Sequence, residues 1–147
     1  MPCASCKKEC LAELLGTYLL VFVGPGSVIV ASLLHMAALE SLAFVAAVFG
    51  GTVAAVILVL GRFSGAHINP AVTVASMAGG QLRRGLFVPY ILFQLVGGLA
   101  AGLSLRLGFG ATDLGANLAS TSLASGVSPV EGVALEIVGT FFWRCQP

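Results

Sequence analysis

The 147 residues carry seven Lys and Arg against six Asp and Glu, a formal net charge of +1; 58% are hydrophobic and only 9% charged. Mean hydropathy is +1.03. Soluble domains carry about 25% charged residues, so the composition excludes an ordinary soluble domain and marks a membrane protein. A net charge near zero argues against nucleic acid as a partner and against a polybasic role at a membrane surface.

Residues 1–9 read as a short polar leader. Cys3, Cys6 and Cys10 gather there around Lys7 and Lys8. Their spacing fits no zinc pattern and a fourth ligand is lacking, so they are read as free thiols, and no metal or other cofactor is expected. Cys145, at the other end, is assigned no role. The first apolar run, Leu11–Leu34, is too long for the apolar core of a signal peptide and reads as a membrane span over about residues 10–33. Its conspicuous charge is Glu13. That residue is either interfacial and exposed to water, or an intramembrane carboxylate accepting hydrogen bonds from otherwise unpaired backbone. His35–Glu40 is a short connection without Lys or Arg, with His35 exposed in it. A second span, Leu42–Leu60, contains Phe49-Gly50-Gly51 and Ala54-Ala55, small enough for close helix contact.

The stretch Ser64-Gly65-Ala66-His67-Ile68-Asn69-Pro70-Ala71-Val72-Thr73 is unlike the spans on either side. Asn69 at an N-cap and Pro70 at the first helical position start a helix. Pro70–Gly79 then runs apolar and small, about 15 Å at 1.5 Å per residue, or half a bilayer. Ser64–His67 holds small residues and no strong helix former, and reads as extended. Such backbone at membrane depth is tolerated only where it is buried in protein or lines a water-filled cavity. Residues 62–80 therefore read as a re-entrant pore loop, with carbonyl acceptors, an amide donor and the positive end of a half-helix near mid-membrane.

These ten residues resemble the first signature loop of the aquaporin, or major intrinsic protein, family. Ala12-Glu13-Leu14-Leu15-Gly16-Thr17 is similar to the family's Ala-Glu-x-x-Gly-Thr motif, whose Glu braces the re-entrant loops, and this favours the buried reading of Glu13. The resemblance implies an all-α membrane fold, an inverted-repeat helical bundle, and a channel for passive water transport rather than an enzyme. Asn69, with Pro70 and Ala71, matches the first of the family's two amide donors. The carbonyls of Gly65, Ala66 and His67 match its ladder of acceptors, the His67 ring serving only to anchor the loop. Phe49-Gly50 lies twenty residues before Asn69. Water-selective members commonly carry Phe there and glycerol facilitators Trp, so water is favoured over glycerol or another small neutral solute. A homotetramer in the lipid bilayer of the plasma membrane is likewise implied.

Gln81-Leu82-Arg83-Arg84 returns the chain to water before a third span, Leu86–Leu107. Its Gln94, Gly97, Gly98, Ala101 and Gly102 share one face, a small-residue packing seam in which the Gln94 amide needs a polar partner; Gln94 is grouped with Glu13 as loop-bracing. Residues 108–129 read as a connecting loop. Glu136-x-x-Gly139-Thr140-Phe141 then echoes Glu13-x-x-Gly16-Thr17-Tyr18 at an offset of 123 residues. A repeat that restarts after three spans enters the membrane the opposite way up. Residues 10–107 are thus a first repeat and 130–147 the start of a second, with Glu136 in the bracing role of Glu13. Val130–Trp143 is short of the roughly 20 residues of a span. A second Asn-Pro-Ala would fall past residue 147, so the expectation is a chain truncated by a premature stop or frameshift. With one half-helix it is expected to conduct little or no water by itself, and a non-conducting partner protein is the alternative reading. Lys7, Lys8, Arg62, Arg83 and Arg84 fall on one side of three alternating spans and Arg106 on the other, which places the N-terminus in the cytoplasm. Two scattered His and few carboxylates offer no nucleophile–base set for an enzyme.

Overall fold

The computed structural model describes residues 4–110, 112, 117, 120, 122–123 and 125–144, of which 4, 5 and 140–144 by backbone only. Cys3 and Cys145 lie outside the described residues. The elements are α1 (Ala4–Leu33), α2 (Ala38–Ser64), the short α3 (Pro70–Ala78), a 3-10 turn (Arg84–Leu86) leading into α4 (Phe87–Phe109), and α5 (Pro129–Arg144). No strand occurs among the described residues. Three helices are long and apolar enough to cross a membrane: Cys6–Leu33, Ala38–Ser64 and Arg84–Phe109.

Two helices run further than their apolar cores suggest. The leader is helical from Ala4, because Ala4–Glu9 contains no Gly or Pro and its Lys and Glu are good helix formers, so α1 extends beyond its apolar run. α2 starts four residues early, where the Glu40 carboxylate accepts from the Ala37 N–H at 3.3 Å. It continues four residues past Leu60 until Gly65 adopts φ 84°, a left-handed conformation that suits glycine and closes the helix. Pro25 lies inside α1 and removes one helical donor. Beside it, the Ser27 hydroxyl donates to the Gly24 carbonyl at 2.6 Å.

α1 is the centre of the bundle and packs on both α2 and α4, while α3 packs on α4. Lipid tails give helices no hydrophobic reason to associate, so close packing of small residues has to hold them. Backbone meets backbone at Gly97 of α4, where a Cβ would land on the carbonyl oxygen of Leu14 in α1 and 3.2 Å from its carbon. The buried face of α4 is Tyr90, Gln94, Gly97, Ala101, Gly102 and Leu105, a stripe at helical spacing. α2 differs: its buried residues are only Val56 and Ser64, and Leu58 is 81% exposed. Most of its surface is left for lipid or for another protein element. At the water end, Arg83 Nη2 donates to both oxygens of Glu9 at 2.6 Å and ties the segment after α3 to the start of α1.

α5 starts with a reciprocal cap. The Ser128 N–H and hydroxyl both donate to the Glu131 carboxylate at 2.8 Å, and the Glu131 N–H donates to Ser128 Oγ at 3.3 Å. The backbone bond from Ser128, then its hydroxyl, hold the exposed Glu131 carboxyl below its ordinary range. A lowered value in the fold means the cap is fully formed above the unfolded-state value and is lost as pH falls through the lowered one. The Ser128 amide resonance is therefore expected to titrate with a midpoint below that of an ordinary glutamate. A midpoint at or above the ordinary value in a pH series of NMR spectra would show the cap is absent.

Candidate functional site

The site is the backbone between α2 and α3 and the side chains that hold it. Gly65 returns its N–H to the Gly61 carbonyl at 2.8 Å. Ala66 and Ile68 then adopt φ 47° and 45°. Left-handed backbone costs a non-glycine residue about 1–3 kcal/mol, and a β-branched residue is the least suited to it. Surrounding bonds must therefore impose this shape. The Ala66 N–H donates to Ser64 Oγ at 3.1 Å. The next two N–H groups go to one carboxylate: His67 to Glu13 Oε1 at 2.9 Å and Ile68 to Glu13 Oε2 at 2.6 Å. The Ile68 side chain lies over Gly16, where a Cβ would come 2.6 Å from Ile68 Cγ2. Glu13 thus holds His67 and Ile68 by their N–H groups, while Gly16, one turn on in α1, makes room for the Ile68 side chain.

Glu13 is fully buried, at 0% exposure, so of its two sequence readings the interfacial one does not hold. Its third donor is Gln94 Nε2, at 2.7 Å from Oε2. The same amide nitrogen lies 2.9 Å from Thr73 Oγ1, closer than the amide oxygen at 3.4 Å, so Gln94 donates to both. The Thr73 hydroxyl can then donate to the Asn69 carbonyl at 3.2 Å, with His67 Nδ1 also 3.2 Å away. Tyr90 donates to the Ser64 carbonyl at 2.9 Å and stands edge-on to the His67 ring, centroids 5.4 Å apart. The structure thus brings Glu13, Gln94 and His67 together. Gln94 reaches the loop through Glu13 and Thr73 rather than by a bond of its own to the loop backbone.

Asn69 caps α3: its Oδ1 accepts from the Ala71 N–H at 2.8 Å, and Pro70 occupies the first helical position. With the oxygen held there, the amide NH2 faces outward from an exposed residue and bonds to no described residue. Gly65 is also exposed, and no described donor reaches the Gly65 or Ala66 carbonyl. The loop therefore presents one amide donor and a run of acceptors at the N-terminus of a nine-residue helix.

Two sequence candidates stand apart from this cluster. Phe49 is 39% exposed and its ring lies on Gly24 of α1, with no described contact to the loop. Glu136 is exposed on α5 and makes no described hydrogen bond to residues 62–68. Conversely, Ser64, Thr73 and Tyr90 were missed as supports. The signal was present for two of them. Thr73 is four residues after the Asn69 cap, and Tyr90 four before Gln94, so each shares a helix face with a polar group already singled out.

A family profile described as Major intrinsic protein matches residues 2–145. The chain belongs to the major intrinsic protein family. Aquaporin Z of Photorhabdus laumondii is 40% identical over 114 residues, 74% of this chain and 49% of the relative. Aquaporin AqpM of Methanothermobacter marburgensis is 35% identical over 155 residues, covering 93% and 62% respectively. Aquaporin-5 of Sus scrofa is 35% identical over 134 residues, covering 91% and 49%. This major intrinsic protein chain thus spans about half the length of the relatives it matches. Family membership agrees with the all-helical architecture and its three apolar helices.

Proposed function

We propose that the chain forms one half of a membrane pore for passive water transport and is not an enzyme. The observation that carries this reading is the orientation of Asn69. Its amide oxygen is held by the Ala71 N–H, which leaves the NH2 as a donor at the positive end of α3. A water molecule passing there gives its oxygen to Asn69 and its hydrogens to the carbonyls of Gly65, Ala66 and His67. The half-helix dipole, about half a unit charge, repels cations at the same point. Phe49 is proposed to line a constriction toward the far side and to favour water over glycerol, since it stands exposed beside Gly24.

Residues 10–107 are proposed as the first repeat and 130–147 as the start of the second. Asn69 is exposed, and most of α2 lies bare. Stopped-flow shrinkage of proteoliposomes tests the reading. The 147 residues alone are expected to stay near the lipid background. The same residues joined to the second half of the Photorhabdus aquaporin Z are expected to shrink rapidly, and a thiol reagent on Asn69→Cys should abolish this. A monodisperse chimera no faster than lipid would contradict the proposal.

The N-terminus and Arg83-Arg84 are proposed to be cytoplasmic in the plasma membrane, with the four-subunit assembly of the family formed through α2. Basic-residue asymmetry supports the orientation. In a cysteine-free background, Ser122→Cys should react with an impermeant thiol reagent from outside the cell and Lys8→Cys only from within. The reverse pattern would invert the topology.

A further inference from the structure

We infer that the seam between α1 and α4 holds one anionic phospholipid, its phosphate on Arg106 and an acyl chain in the groove beneath. The groove is about 270 Å³, lined by Val21 of α1 and by Gly98, Leu99, Gly102, Leu103 and Leu105 of α4, with Arg106 at its mouth. A wider recess of about 630 Å³ shares Leu103 and Arg106 with it and is lined further by Leu107, Gly108 and Gly110. Among the described residues the lining apart from Arg106 is aliphatic or glycine, so water gains nothing from it and a hydrocarbon chain does.

The dimensions match one leaflet. Arg106 is three residues before the end of α4 at Phe109, about 4.5 Å from the helix terminus and so at headgroup level. Gly98 is eight residues deeper, about 12 Å along the axis, within the roughly 15 Å of hydrocarbon in a single leaflet. Arg106 is exposed, and the ion pair among the described residues, Arg83 with Glu9, lies at the opposite end of α4. The other described Lys and Arg side chains, Lys7, Lys8, Arg62, Arg83 and Arg84, are also at that opposite end. The planar guanidinium forms paired hydrogen bonds to phosphate oxygens, which makes it better suited than an ammonium to hold a headgroup in one place. The long Arg stem can lie along Leu103 while its head reaches the interface.

The test uses the 147-residue chain in phosphatidylcholine bilayers. Trace phosphatidylglycerol or phosphatidylcholine carries a photoreactive diazirine in mid-chain, and adducts are mapped by peptide mass spectrometry. Adducts are expected between residues 98 and 106, with phosphatidylglycerol favoured about fivefold, the worth of one basic residue near a membrane surface. Arg106→Gln should remove the preference and Arg106→Lys should retain part of it. Gly102→Leu, which fills the groove, should lower the yield for both lipids. Excess inorganic phosphate should leave the labelling unchanged. Equal labelling by the two lipids, or a preference that survives Arg106→Gln, would overturn the inference. So would competition by inorganic phosphate, which would show a site for free phosphate. Rapid disulfide-linked dimers of Gly102→Cys would show instead that a second copy covers the groove.

Discussion

Glu13→Ala is expected to release the loop between α2 and α3 while leaving the three long helices formed. The substitution strands two backbone N–H groups and one N–H of the Gln94 amide in a buried place, and a buried donor left unpaired costs about 1–3 kcal/mol. Those bonds also hold Ala66 and Ile68 in left-handed backbone, so both residues are free to relax once the carboxylate is gone. Hydrogen exchange at His67 and Ile68 should accelerate by roughly 5- to 150-fold, the factor that corresponds to that cost. Glu13→Gln should behave nearly as badly. All three partners of Glu13 are donors, and the new NH2 would face at least one of them. Unchanged exchange at both amides would mean that the carboxylate does not carry the loop.

The second large effect is expected at Gly97, in the seam between α1 and α4. A Cβ there runs into Leu14 backbone, which cannot swing aside as a side chain can. Gly97→Val must push α4 off α1, and overpacking of this kind costs about 1–3 kcal/mol and sometimes more. The separation also withdraws Gln94 from Glu13, so the loop should loosen as well. Gly98 is the control: a Cβ there meets Thr17 and Val21 side chains at 3.8 and 3.9 Å, an ordinary contact. Gly98→Ala should leave thermal unfolding in detergent almost unchanged, whereas Gly97→Val should lower the midpoint by several degrees. Equal effects at the two positions would show that the helices are not in contact at Gly97.

The comparison of these two glycines shows where sequence reading stops. The seam Gln94, Gly97, Gly98, Ala101 and Gly102 was legible as a face, because small residues at helical spacing report close packing. Which glycine touches backbone was not, since that depends on the rotation of α4 against α1. The re-entrant stretch was legible for a related reason: Asn69-Pro70 is a local helix start, and its neighbours are too long and apolar to be anything but spans. The Glu13 brace needed the family motif to be preferred over an exposed carboxylate, because its partners are backbone N–H groups 54 and 55 residues away that have no signature of their own. Ser64 was missed for the same reason, since what it offers Tyr90 is a backbone carbonyl. Helix ends were the least legible, since α1 and α2 continue into water on residues that hydropathy counts as leader and connection.

A pore half of this kind must turn the Asn69 amide toward water in the middle of the membrane. Water-edited solid-state NMR reads this directly, by following polarisation from water protons to the Asn69 side-chain nitrogen in lipid bilayers. The expected result is rapid build-up at Asn69 Nδ2, comparable with Gly65 in the loop and much faster than at Leu58 on the bare face of α2. Glu13→Ala should erase the difference between Asn69 and that bare helix face. Build-up at Asn69 as slow as at Leu58 in the unaltered chain would show that no water reaches the amide and would contradict the claim.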